Sequence, residues 1–211
     1  MNDSPKLGQY AEYCATTLGW SIFPCHGMHD GRCTCADPKE DPKNRGKHPA
    51  NFNGQRGATT DAATIAGWWT DNPYYNIGVY CKASGFLVID IDPRSGGFES
   101  FEKFEELLNW SLTPTVEAIT GLYTYKGKQL RGRHLYYKYD GEDGVVANLK
   151  DANLPGIDFK YQGYVLLPPS THASGVEYEW KPGHAPWEIP MADASNELLS
   201  AIVKQNNYKP S

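Results

Sequence analysis

Nothing in this chain approaches the roughly 18 consecutive apolar residues that suggest a membrane span. The N-terminus also lacks the charged-then-apolar pattern of a signal peptide. Both absences point to a cytoplasmic protein with no membrane partner. There is no internal repeat and no low-complexity segment. The Gly-x-x-x-x-Gly-Lys-Ser/Thr pattern is missing too, so no P-loop ATPase lies within these residues. Cysteine is sparse, five in 211 residues. Three of the five cluster with histidines, which in a reducing compartment suits metal binding better than a disulfide framework. Positive charge is also short. Lys and Arg number 20 against 25 Asp and Glu, a formal charge of -5. That argues against coating nucleic acid by bulk electrostatics, while leaving room for a local basic groove.

What remains is an ordinary soluble composition, 40% apolar and 21% charged, long enough for one large domain or two small ones. Residues 5–18 read as a helix, followed by a short strand "WSIFP". Residues 25–58 form a loop rich in Gly, Pro, Cys, His and Lys. A second helix starts at Thr60 or Asp61 and carries Ile65, Trp68 and Trp69 inward until "DNPYYN" stops it. "NIGVYC" and "FLVIDID" are strands joined by a tight "ASG" turn. Phe98, Phe101, Phe104, Leu107 and Leu108 recur at helical spacing over 98–110. "HLYYKY", "GIDFK", "YVLLPP" and "VEYEW" then read as strands. The order is α+β, with a mostly antiparallel sheet after the first helices and loop. The expected organisation is one domain over 1–190 and a C-terminal helix and linker tail over 191–211.

The strand "FLVIDID" does something costly at its end. Side chains alternate along a strand, so Asp90 and Asp92 face the same way with Cα atoms about 6.5 Å apart. Two like charges so close raise each other's pKa unless a cation sits between them. Mg²⁺ or Mn²⁺ suits such a pair, because it takes one or two carboxylates and fills its shell with water and substrate phosphates. The plain alternative is a strand end running into solvent, since Asp before Pro marks a turn. "PGIDFK" repeats the pattern with Asp158, and Lys160 lies on the same face. "RGRHLYYKY" aligns His134, Tyr136 and Lys138, and "YKGKQLRGR" supplies Lys126, Lys128, Arg131 and Arg133 just before. Taken singly, each has a bland reading: a paired strand Asp, a half-buried His, a solvated loop. Together they describe carboxylates that hold metal ions beside cations that hold polyphosphate oxygens.

"VIDID", "GRHLYY", and "GIDFK" followed by "YVLLPPSTHASGVEYEW" resemble the three motifs of the bifunctional DNA primase/polymerase (prim-pol) domain. That family belongs to the archaeo-eukaryotic primase superfamily and occurs in phage and plasmid replication proteins. The resemblance runs over residues 8–190 and takes in "GKHP" and "ATTDAATIAGWWTDNPYYNIGV". It implies an RRM-like catalytic sheet packed with a smaller N-terminal α/β unit and a Cys/His-rich loop. It further implies Asp90, Asp92 and Asp158 as catalytic, metal-binding acids and His134 as a contact to the nucleotide phosphates. Arg131, Arg133, Lys160, Ser170 and His172 are the further nucleotide-binding candidates. Arg133 and His134 fall on opposite faces unless the strand begins at His134. The implied partners are single-stranded DNA template, primer and nucleoside triphosphates, in a bacterial or phage-infected cell. Members of the family commonly continue into a C-terminal helicase domain.

The chain departs from that pattern twice. The segment 121–131 is longer than the usual Gly-rich connection, and is either an extra template or nucleotide contact or an elongated hairpin. A customary cysteine between Cys-x-Cys and Gly-Lys-His-Pro is also missing. One structural Zn²⁺ would then take His26, Cys33, Cys35 and His48, with Cys25 as a substitute, in the four-ligand tetrahedron zinc prefers. The other reading is a metal-free loop held by packing. The leading functional expectation is a template-dependent nucleotidyltransferase, a DNA primase and polymerase. A metal-dependent nuclease or phosphoesterase and a catalytically silent zinc-bearing nucleic-acid binder are the alternatives.

Overall fold

The computed structural model describes residues 7–35, 37, 41–110, 112–141 and 154–206. The tail beyond 206, and 36–40 apart from Asp37, lie outside them. The first elements are α1 (Leu7–Thr16), β1 (Ile22–Cys25), β2 (Met28–His29), β3 (Arg32–Cys33), α2 (Ala62–Asp71) and β4 (Asn76–Tyr80). β5 (Phe86–Ile91), α3 (Gly97–Leu107), β6 (Val116–Tyr125) and β7 (Lys128–Lys138) follow. β8 (Ile157–Lys160), β9 (Tyr164–Leu166), β10 (Glu179–Trp180) and α4 (Asn196–Asn206) complete the order. The chain is mixed α+β with mostly antiparallel sheets, as its pattern suggests. It divides into two compact units, one within Met1–Ser84 and Gly163–Glu179, the other within Gly85–Gln162 and Trp180–Ser211. No helix among the described residues is long and apolar enough to cross a membrane.

The first unit is a three-stranded antiparallel sheet, β1-β4-β9, with α1 and α2 and the small β2–β3 hairpin. α2 starts where its sequence says it should. Asp61 caps it, accepting from the Thr64 amide at 2.8 Å and satisfying an otherwise orphaned helix donor. Ile65 and Trp69 are buried and Trp68 is half-buried. The Trp69 indole donates to the Tyr75 carbonyl at 2.8 Å, so the "DNPYYN" stop is tied to the helix it ends. Asn76 is fully buried and uses its amide completely. It donates to the carbonyls of Gly46 and Thr171 and accepts from the Thr171 amide, each at 2.8 Å.

The second unit is a five-stranded sheet of order β10-β6-β7-β5-β8. One face carries a dry core of Leu87, Ile89, Ile91, Leu135, Tyr137, Ile157 and Phe159 under Phe101, Phe104 and Leu108 from the α3 region. Each such side chain contributes about 1.5–3 kcal/mol by leaving water. Leu107, expected to join them, is 57% exposed. α3 ends there, and the following Asn109 and Trp110 turn away with φ of 50° and 57°. α4 is no appended tail, because Leu198, Ala201 and Ile202 are buried in the same core. The long segment between "EAIT" and "GRH" resolves into an elongated hairpin. β6 and β7 pair up to Tyr125 and Lys128. The intervening Lys126 and Gly127 have φ of 48° and 75°, the positive pair a tight two-residue turn requires.

On this helix-covered side sits a buried carboxylate. Glu117 of β6 accepts from Arg133 Nε at 2.5 Å and from Lys181 Nζ at 2.8 Å. Burial alone raises its pKa, but the two cationic donors outweigh burial and hold it below its ordinary value of 4.5. A group depressed on folding stabilises the native state fully above its unfolded pKa and loses that contribution as pH falls through the folded value. Unfolding free energy measured by urea titration should therefore fall as pH drops below about 4.5, and Glu117→Gln should flatten that fall while lowering stability at pH 7.

A candidate polyphosphate and metal site on the second sheet

The sheet face opposite that core holds the acids. Strand register places Asp90 of β5 directly between His134 of β7 and Asp158 of β8. The next row along has Val88 between Tyr136 and Lys160. One short line across three strands thus reads imidazole, carboxylate, carboxylate, with an ammonium one pleat away. Asp92 lies just beyond the end of β5, where it caps the 3₁₀ turn Pro93–Ser95 by accepting from the Arg94 amide at 2.9 Å. Asp90, Asp92 and Asp158 line one cleft of about 170 Å³ with Ser95, Pro155, Gly156 and Ile157.

Each of the three carboxylates has a basic side chain against it. His134 Nε2 is 3.4 Å from Asp90 Oδ1, and Lys160 Nζ is 2.6 Å from Asp158 Oδ2. Arg94 grips Asp92 with its fork, Nη2 at 2.6 Å from Oδ2 and Nε at 3.1 Å from both oxygens. The bond to Asp92 raises the Arg94 pKa above its ordinary value. The same guanidinium lies 4.5 Å over the Tyr123 ring, a cation–π contact. Burial, and then the charges of Asp92 and Asp90, push the Tyr123 hydroxyl up to about 12.

Backbone contacts hold this cleft in shape. The Asp92 amide donates to the Gly156 carbonyl at 2.7 Å, and the Gly97 amide donates to the Asp92 carbonyl at 3.1 Å. A Cβ on Gly97 would stand 2.6 Å from the Asp92 oxygen, and one on Gly156 would stand 2.6 Å from the same atom. Only glycine lets the end of β5, the start of α3 and the lead-in to β8 meet this closely.

The other expected residues fall elsewhere. Arg133 is not beside His134. β7 begins at Lys128, so alternation turns Arg133 to the core side, where it is bound to Glu117 and lies 5.4 Å over the Phe101 ring. Arg131 directs Nε to the Thr120 carbonyl at 2.8 Å, beside the β-bulge between Ile119 and Leu122. Ser170 and His172 belong to the first unit. Ser170 is fully buried and its hydroxyl oxygen accepts from the Ile77 amide at 2.9 Å. His172 Nδ1 accepts from the Ser174 amide at 3.1 Å, closing a turn. Both are occupied in shaping the backbone of their own unit. The residue that composition and pattern passed over is Arg94. "DPRSGG" reads as a turn, and the usable signal was an Arg two positions after an Asp that caps that turn.

The first unit gathers the soft ligands. Donor atoms of Cys33, Cys35 and His48 lie within 4.8 Å of one another. His48 Nδ1 faces the Asn44 carbonyl at 3.1 Å. A carbonyl only accepts, so Nδ1 is the donor there, and Nε2 is the ring nitrogen that could ligate a metal. His26 stacks against His48, ring centroids 4.6 Å apart, with Nδ1 3.0 Å from Thr34 Oγ1. Cys25 is a core residue. It is fully buried beside Gly78, and burial pushes its thiol well above the usual range, against the thiolate a metal requires.

The profile of the bifunctional DNA primase/polymerase, N-terminal, family matches residues 11–196. The chain belongs to that family, a class of DNA-replication nucleotidyltransferases whose substrates are DNA and nucleotides. Comparison with curated proteins finds no match.

The glycine contacts yield a paired test. Gly156 and Gly127 both have positive φ, but only Gly156 has backbone where a Cβ would go. Gly127→Ala should cost about 1 kcal/mol of strain, and Gly156→Ala clearly more, on the order of 2–4 kcal/mol, by urea unfolding. Equal losses would remove the close approach as the reason for glycine at 156.

Proposed function

We propose that this primase/polymerase family member holds Mg²⁺ or Mn²⁺ on Asp90, Asp92 and Asp158 and joins nucleoside triphosphates to a primer on single-stranded DNA. The observation that carries the reading is the three acids lining one cleft, each with a basic side chain beside it. Hard carboxylate oxygens around a small open space fit an octahedral ion that keeps water and accepts phosphate ligands. Bound there, divalent ions neutralise the phosphates and lower the pKa of the attacking hydroxyl.

The chain's own residues supply orientation and charge. Asp90 and Asp92 share a face at the end of β5, and Asp158 joins them from β8 on the primer side. His134 presents an N–H and Lys160 an ammonium to phosphate oxygens from the same sheet face. Arg131 is the remaining basic candidate, from the hairpin. The reading does not use Arg133, Ser170 or His172, since Arg133 is bound to Glu117, Ser170 to the Ile77 amide and His172 to the Ser174 amide. In the reaction the primer 3′-hydroxyl oxygen bonds to the α-phosphorus. The bond from that phosphorus to the pyrophosphate oxygen breaks, and the hydroxyl proton passes to solvent.

A structural Zn²⁺ on Cys33, Cys35 and His48, with His26 as the fourth ligand, belongs to the same reading. The three donor atoms within 4.8 Å need only a small contraction to reach a tetrahedral edge of about 3.5–3.8 Å. Protein purified without added zinc should carry close to one equivalent by elemental analysis. Less than about half an equivalent would sink the zinc site.

Extension of a labelled primer on a single-stranded template, with Mn²⁺ or Mg²⁺ and dNTPs, tests the function. Wild type should extend in a template-directed way, and Asp90→Ala/Asp92→Ala should lose about 100-fold or more. Shortening of the labelled strand by wild type with Mn²⁺ and no nucleotide would instead favour the nuclease.

A further inference from the structure

Arg94 is fully engaged with Asp92, and that engagement is incompatible with the role proposed for Asp92. Its guanidinium occupies both carboxylate oxygens through bonds of 2.6 and 3.1 Å, leaving the carboxylate's bidentate edge to no other cation. The side chain is nevertheless 46% exposed, so little packing holds it there. It also has a second support, the Tyr123 ring at 4.5 Å, which does not depend on Asp92. Pro93 and the αL Gly96 frame the turn that carries it, and Gly97 opens α3 directly behind. Lys160 and His134 sit on rigid strands. Arg94 sits on a short turn at the mouth of the same cleft.

We infer that Arg94 is an exchangeable counter-ion. It neutralises Asp92 while the cleft is empty. Once the carboxylate is given over to a divalent cation, Arg94 pivots on the Tyr123 face and turns its fork to the triphosphate. The inference rests on the acid site proposed above and adds a nucleotide-binding residue to it. The chemistry fits the part: a planar guanidinium matches carboxylate and phosphate bidentately, so it can leave one for the other without a change of geometry. Tyr123 keeps it near while it is between partners. The exchange also spares the empty cleft three uncompensated carboxylates.

This assignment predicts effects of opposite sign on two ligands. Mn²⁺ binding without nucleotide, followed by electron paramagnetic resonance, should tighten about two- to fivefold in Arg94→Gln, because an exposed competing ion pair is gone. Binding of dATP in the presence of Ca²⁺, by calorimetry, should weaken about tenfold in the same variant. Arg94→Lys keeps the charge and loses the fork, so its Mn²⁺ affinity should stay near wild type and its dATP affinity should fall between the two. If Arg94→Gln weakens both ligands, Arg94 merely shapes the turn; if it changes neither, it does nothing at the site. Either result overturns the proposal. Asp92→Asn separates this from the underlying reading. If that variant binds Mn²⁺ as wild type does, the acid site itself fails and Arg94 with it. If Asp92→Asn loses Mn²⁺ and Arg94→Gln is silent, only the counter-ion is wrong.

Discussion

Three carboxylates on adjoining pieces of one sheet face repel each other, and the second unit is arranged around keeping that repulsion tolerable. Register alone forces the problem, since pairing β5 with β8 puts Asp90 opposite Asp158. The same register supplies part of the answer, because pairing β5 with β7 brings His134 to the other side of Asp90. Lys160 follows one pleat from Asp158. Asp92 lies past the end of β5 and takes its cation from the turn that follows. Like charges directly opposite one another destabilise a sheet, so this pattern persists only where the charges serve a ligand or are matched one for one. Here Arg94 and Lys160 match two of the charges and the His134 ring lies against the third.

Much of this site was legible from the alternation of side chains in "VIDID" and "GIDFK", because a period of two is a strong rule inside a buried sheet. The same rule correctly put Lys160 on the face of Asp158 and separated Arg133 from His134. It could not say where Arg133 goes, since its partner Glu117 lies 16 residues away in sequence and only the β6–β7 pairing joins them. Ser170 looked available because it follows a strand and precedes a loop. Its burial against Ile77 depends on β4, nearly a hundred residues earlier. α4 read as a tail because its inward face is short, Leu198, Ala201 and Ile202, and a single apolar stripe does not announce the core it joins. Cys25 illustrates the converse limit: proximity in sequence to Cys33 and Cys35 suggested a ligand, while the pairing of β1 with β4 buries it.

The two chemistries of the chain are kept in separate units for a reason that donor type makes plain. Soft thiol and imidazole donors gather in the first unit at Cys33, Cys35 and His48. The carboxylates Asp90, Asp92 and Asp158 gather in the second. A thiolate within the acid cleft would favour zinc over magnesium at the site proposed for labile ions. Carboxylates at the Cys/His loop would weaken its preference for a tightly held one.

A net charge of -5 and the proposed binding of a nucleoside triphosphate are reconciled by where the cations sit. Arg133 and Lys181 are paired with Glu117 on the helix-covered face of the sheet, not on the face that carries the acids. Arg94 and Lys160 instead face carboxylates at the cleft, and a cation so placed is neutralised only while its carboxylate has no better partner. In the proposed reading, a divalent ion arriving at the acids would free positive charge at the same spot. Arg94 and Lys160 offset two of the three carboxylates, so a bound divalent ion would turn the cleft from negative to positive. Attraction for the triphosphate would thereby depend on the metal, without any excess of basic residues in the chain as a whole.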